Sequence, residues 1–169
     1  MKKAFLAALS FAMATIILFG FAGCTEVELE TKTVNGITLS VPDDYQEFKD
    51  TNGYMVAGST DSSITISAPL DVTEKTDWTE ESLKELYEDT YSNIVFRSIT
   101  KDVKIDGGTA IYVSFTGINK DKIEFDVRLI IIYTEDNKMY ANYVMFKVGS
   151  DCSTAKYADD IMKSIKVVK

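Results

Sequence analysis

Carboxylates are the only abundant reactive side chains in this chain of 169 residues, which holds 26 acidic residues, two cysteines and no histidine. Without histidine there is no Ser-His-Asp or Cys-His nucleophile system, and the commonest transition-metal ligand is missing. Acidic pairs stand at Asp43-Asp44, Glu80-Glu81, Asp102 with Asp106, and Asp159-Asp160. Paired carboxylates are what glycosidase-like acid/base work or calcium binding would need. Each pair also has a local conformational reason. Asp43-Asp44 follows Pro42 in a turn, Glu80-Glu81 opens a helix where the dipole favours negative charge, Asp106 precedes Gly107-Gly108, and Asp159-Asp160 falls on a solvated helix face. None has EF-hand spacing, and neither GxGxxG nor GxxxxGK[ST] occurs, so the sequence offers no catalytic residue, no metal site and no cofactor site.

The two cysteines lie too far apart for a CxxC motif. Cys24 closes a distinctive N-terminal stretch: Met1-Lys2-Lys3 is a basic start, Ala4 to Phe21 an apolar run, and Ala22-Gly23 supply small residues before the thiol. This resembles a bacterial lipoprotein signal peptide over residues 1–23, removed so that Cys24 leads the mature chain. The resemblance implies a thioether-linked diacylglycerol and usually a further acyl chain such as palmitate on Cys24. Each buried methylene contributes about 0.8 kcal/mol, so two chains suffice to hold a domain on the extracytoplasmic face of the cell membrane. The alternatives are an uncleaved helix, for which Ser10, Thr15 and Gly20 interrupt the run, and ordinary secretion. Cys152 then has no partner within the chain and reads as a small buried hydrophobe, a reactive thiol or an intermolecular bridge being the other options.

Losing residues 1–23 removes Lys2 and Lys3 and no acid, taking the formal charge from −8 to about −10. Such a body is repelled by nucleic acid and by anionic headgroups, so membrane attachment must come from the acyl chains. The remaining length suits one domain with a single core.

The elements that position these groups follow from periodicity and turn chemistry. Residues 24–32 read as a tether or a first strand. Asn35-Gly36 between Lys32-Val34 and Ile37-Val41 predicts a type I′ hairpin ended by Pro42. Tyr54-Ala57 and Ser63-Ala68 read as short strands, the second with one buried face. Thr79 is placed to cap a helix whose Leu83, Leu86, Tyr87 and Tyr91 share a core face. Val95-Ile105 and Thr109-Thr116 should pair across Asp106-Gly107-Gly108, with Ile111, Val113 and Phe115 on one side. Lys122-Thr134 alternates in its first half, with Glu124, Asp126 and Arg128 polar, and turns apolar on both faces from Leu129 to Tyr133. Lys138-Val148 reads as a central strand. A last amphipathic helix begins near Ser153 or Thr154 and carries Tyr157, Ile161 and Ile165 with Ala158 and Met162. This order predicts α+β, an antiparallel sheet flanked by helices, over residues 33–169.

Aromatic residues are numerous: Tyr45, Tyr54, Trp78, Tyr87, Tyr91, Tyr112, Tyr133, Tyr140 and Tyr143, with Phe48, Phe96, Phe115, Phe125 and Phe146. They either pack the core with hydroxyls toward water or line a groove for a peptide, glycan or protein. Trp78 is a staple onto the helix after it or an exposed contact.

Three stretches together, Asn35 to Tyr45, Val103 to Ala110 and Tyr157 to Ile165, resemble the PsbP/Mog1-like superfamily. Its bacterial members begin with a hairpin ending in Pro-x-x-Trp, pass through an Ile-Asp-Gly turn and finish with a helix. Tyr45 stands here in place of the tryptophan. The resemblance implies an α/β/α sandwich shared by photosystem II extrinsic subunits, Ran-binding factors and envelope lipoproteins, with no common catalytic set. The expectation for this chain is a non-catalytic, membrane-anchored binding or assembly module for an envelope protein. A small-ligand or cation-binding accessory protein of a transporter, or a carboxylate-dependent enzyme, is the alternative.

Overall fold

In the computed structural model the described residues are 27–45, 47–59 and 61–168. Cys24, the signal segment before it and Thr25-Glu26 of the expected tether lie outside them. The first strand, β1 (Leu29–Val34), starts inside the stretch 24–32 expected as tether, because Leu29 already pairs with Pro42 of β2 (Ile37–Pro42). Asn35 and Gly36 between them have φ of 51° and 78°, the left-handed values that a type I′ turn demands and that Asn and Gly tolerate best.

The other strands are β3 (Lys49–Thr51), β4 (Tyr54–Ser59), β5 (Ser62–Ser67), β6 (Leu70–Asp71), β7 (Ser92–Ile105), β8 (Gly108–Ile118), β9 (Glu124–Thr134), β10 (Lys138–Lys147) and β11 (Lys166–Val167). The large antiparallel sheet runs β3-β4-β5-β10-β9-β8-β7, with β6 also on β10, and a small one runs β1-β2-β11. Two helices complete the chain among the described residues, α1 (Glu80–Tyr87) and α2 (Ser153–Ser164).

Alternation along β9 and β10 divides the core. Val127, Leu129, Ile131 and Tyr133, with Ala141, Tyr143 and Met145, meet Leu83, Leu86 and Tyr87 of α1 on one face. Ile130, Ile132 and Val144 meet Ile37 and Leu39 of β2 and Ala158, Ile161, Met162 and Ile165 of α2 on the other. Both central strands are therefore covered on both sides, as their unbroken apolar runs require. β5 is central as well, and all six of its residues are buried rather than one face. Where its ladder to β10 stops at Thr65–Tyr143, side chains take over: Asn142 Oδ1 accepts from Ser67 N at 3.2 Å and Ser67 Oγ from Ala141 N at 2.9 Å.

Helix α1 is shorter than the spacing predicts. It ends at Tyr87, and Tyr91 reaches the same core from beyond the following turn. Eight residues make a marginal helix, so its first turn matters. Thr79 Oγ1 accepts from Ser82 N at 3.2 Å, and Ser82 Oγ accepts from Thr79 N at 3.0 Å, a reciprocal capping box. Thr79→Ala removes one half of it and is expected to lower stability by about 1 kcal/mol, read as a lower urea midpoint at unchanged slope. An unchanged midpoint would mean that tertiary packing alone holds α1.

Candidate functional site

None of the acidic pairs is assembled into a catalytic or metal-binding set. Asp43 Oδ1 accepts from Glu28 N at 3.3 Å, and Asp44 Oδ1 accepts from the Ser153 hydroxyl at 2.8 Å, so this pair ties the turn after β2 to the start of β1 and α2. Glu81 lies in the first turn of α1, where a backbone N–H and the Thr79 hydroxyl hold its carboxyl below the usual range. Asp102 has φ of 58° within β7, and Asp106 pairs with Lys166 at 3.3 Å. Among the described residues no group of three or more His, Cys, Asp and Glu could hold a metal ion.

The tyrosines do not form a groove. Tyr54, Tyr87, Tyr91, Tyr133, Tyr140 and Tyr143 are buried, and Trp78 is buried beside them, its Nε1 donating to Tyr133 Oη at 2.9 Å. Trp78 and Leu83 share one apolar cluster, which gives the staple reading rather than the exposed contact. Tyr45 is half-buried. Its hydroxyl meets Ser62 Oγ at 2.5 Å and the Thr154 hydroxyl, locking the turn after β2 onto β5 and α2, and burial pushes its pKa above the usual tyrosine range. Cys152 stands just before α2, half-buried rather than in the core, and is a free thiol among the described residues.

The site that does assemble was hidden in the alternation of β9. Asp126 and Arg128 point to the α2 face, where α2 packs chiefly on β2 and β10; Ala110 and Ser114 of β8 are still buried there, and Ser98 of β7 is exposed. Asp126 is buried although charged, and it faces both arginines of the chain, Arg97 and Arg128. Arg97 is the extra residue of a β-bulge between Phe96 and Ser98, which swings it toward Asp126. Register does the rest. Ser98 lies opposite Ser114, and Ser114 opposite Arg128, so three strands present one polar row. From above, α2 adds Asp159, with Oδ1 3.6 Å from Arg128 Nη1, together with Met162 and Lys163.

These side chains enclose a half-open recess of about 160 Å³, lined by Ser98, Tyr112, Ser114, Arg128, Asp159 and Lys163 over an apolar floor. Arg128 Nε and Asp126 Oδ1 are 3.0 Å apart and both buried, yet misaligned for a hydrogen bond. The contact is therefore charge against charge, with donor capacity unspent. A usable signal was present in the sequence: only two of 18 basic residues are arginine, and one stands two positions from an acid at the entry to an apolar strand.

No protein-family model matches the chain, and no curated protein does. Solved structures match in fold. The Ran-binding protein Mog1p of Saccharomyces cerevisiae aligns with a TM-score of 0.59 at 12% identity, over 85% of this chain and 97% of Mog1p. The cyanobacterial PsbP (CyanoP) of Synechocystis aligns with a TM-score of 0.56 at 11% identity, over 88% and 96%. A point variant of Mog1 gives 0.58 at 12% identity, over 86% and 97%. The chain thus has the Mog1/PsbP-like α+β fold.

Proposed function

We propose that this protein is a lipid-anchored extracytoplasmic lipoprotein, moored to the cell membrane through Cys24, whose domain is a non-catalytic binding or assembly module for another envelope protein. The observation that carries the module reading is the half-open recess on the α2 face, where Arg128 and the hydroxyls of Ser98, Tyr112 and Ser114 are positioned by three strands. Polar groups fixed by strand registers around a recess suit recognition. Asp43, Asp44 and Asp106 serve turns and an ion pair. That Mog1p, of the same fold, is a Ran-binding protein supports a protein partner here. The anchor rests on the run ending Leu18-Phe19-Gly20-Phe21-Ala22-Gly23-Cys24. Among the described residues no helix is long and apolar enough to cross a membrane.

Two measurements test this reading. Intact mass of the membrane-extracted protein should show residues 1–23 lost and acyl mass gained. Cys24→Ser should abolish both the acyl mass and the cleavage before residue 24, and a wild-type protein extracted from the membrane at full length without acyl mass would refute the anchor. Crosslinking in the native envelope should then yield an adduct with one protein, centred on β7, β8 and α2.

A further inference from the structure

We propose that the recess beside Arg128 receives a carboxylate side chain of the partner protein, which takes the place of Asp159; this rests on the binding-module reading above. The charges are arranged for it. Asp126 is held between Arg97 and Arg128, so within the recess Arg128 and Lys163 face a single exposed acid, Asp159. Lys163 forms no ion pair with a described residue, and the hydroxyls of Ser98, Tyr112 and Ser114 have no hydrogen-bond partner among the described residues. Two cations and three unused hydroxyl donors thus converge on one space, on a protein whose net charge is −8.

Asp159 is a loose occupant. Its side chain is 71% exposed and its oxygen lies 3.6 Å from Arg128, beyond hydrogen-bond reach, so leaving costs little. A carboxylate arriving from outside can use the Arg128 fork and the hydroxyls at once, while Met162 offers apolar contact to its methylene stem. Size selects the source. About 160 Å³ is room for roughly five waters, below the ~300 to 1,000 Å³ of cofactor and drug-sized pockets, and suits the end of one side chain. Charge selects the group, because the acidic body penalises a phosphate dianion more than a monoanionic carboxylate.

The test uses the full chain in nonionic detergent, with its intact mass recorded first, so that failure of lipidation and failure of this site are read separately. The probes are a fluorescein-labelled peptide alternating glutamate with glycine, its glutamine counterpart, glutarate and inorganic phosphate, followed by anisotropy, by competition and by the Arg128 Nε–H resonance. The glutamate peptide should bind at least tenfold better than the glutamine one, and Arg128→Lys, which keeps the charge and loses the fork, should weaken it about tenfold. Lys163→Gln, on the solvent side, should weaken it severalfold with thermal unfolding unchanged. Asp159→Asn should tighten it severalfold, which a purely structural ion pair would not do. Equal binding of the two peptides, indifference to Arg128→Lys and Lys163→Gln, weakening by Asp159→Asn, or tighter binding of phosphate or glutarate than of the peptide would each overturn the proposal.

Discussion

Above pH about 10 the protein is expected to unfold cooperatively, with the tyrosinate absorbance of Tyr87, Tyr91 and Tyr143 appearing only as the fold is lost. These rings lie in the core beneath α1, at most 3% exposed. Tyr87 Oη donates to Tyr143 Oη at 3.1 Å, and Tyr91 Oη points at Met145 Sδ at 3.9 Å. Burial raises all three hydroxyls well above their ordinary value of 10, because a phenolate in that interior would forfeit its hydration. The sign follows directly. Below the unfolded pKa of about 10 both states hold the proton and the stability is complete. Above it the unfolded chain releases protons that the native state keeps, so stability falls until the folded pKa is reached. Each side chain costs about 1.4 kcal/mol per pH unit in that window, and three together cost about 4. Domains of this size have roughly 5–15 kcal/mol in total, so about one to four units above pH 10 should suffice. Far-ultraviolet circular dichroism and tyrosinate absorbance measured across the same pH series should show coincident transitions for this group. Tyr45 is raised by burial as well, so Tyr91→Phe should make the stability slope shallower by at most about a quarter. Titration of the three rings near pH 10 in a chain that keeps its circular dichroism would contradict the argument.

Legibility in the sequence ran with locality. Asn35-Gly36 specifies its hairpin within six residues, Thr79 its helix start within four, and the apolar run Leu129 to Tyr133 announces a strand covered on both faces. Two local signals gave the wrong extent. Tyr91 continues the helical spacing of Leu83 and Tyr87 yet belongs to a turn, and β7 begins at Ser92 rather than Val95. The candidate site was hidden for a different reason. Arg97, Ser98, Ser114 and Arg128 meet through a bulge and two strand registers, and Asp159 comes from a helix some 30 residues further on. Period-2 alternation marks Asp126 and Arg128 as sharing a face; only the placement of α2 tells that this face is half-covered, which leaves Asp126 buried and Arg128 at the rim.

Gly108→Ala is expected to be the most damaging single-methyl substitution among the glycines, for a reason the Asp106-Gly107-Gly108 motif does not state. A β-carbon at Gly108 would collide with the carbonyl oxygen of Tyr133 and lie 3.1 Å from its carbon, and Tyr133 is held in β9 between β8 and β10. Nothing there is the free end of a side chain, so the β8–β9 ladder must separate locally, at a cost of about 3 kcal/mol, the upper part of what overpacking usually brings. Gly107 has φ of +90° and would place a β-carbon 2.6 Å from Val167 Cβ. There the obstacle is β11, two residues on the edge of the small sheet, which can yield, so Gly107→Ala combines left-handed strain with partial loss of β11 and should cost about 2 kcal/mol. Gly53 isolates the strain: its φ is +84° and nothing lies within 4 Å of the added carbon, so Gly53→Ala should cost about 1 kcal/mol. Urea unfolding of the three variants should rank them Gly108, Gly107, Gly53. If Gly53→Ala proves as harmful as Gly108→Ala, backbone strain rather than contact with Tyr133 governs these positions, and the close approach of β8 to β9 is not what requires glycine after the turn.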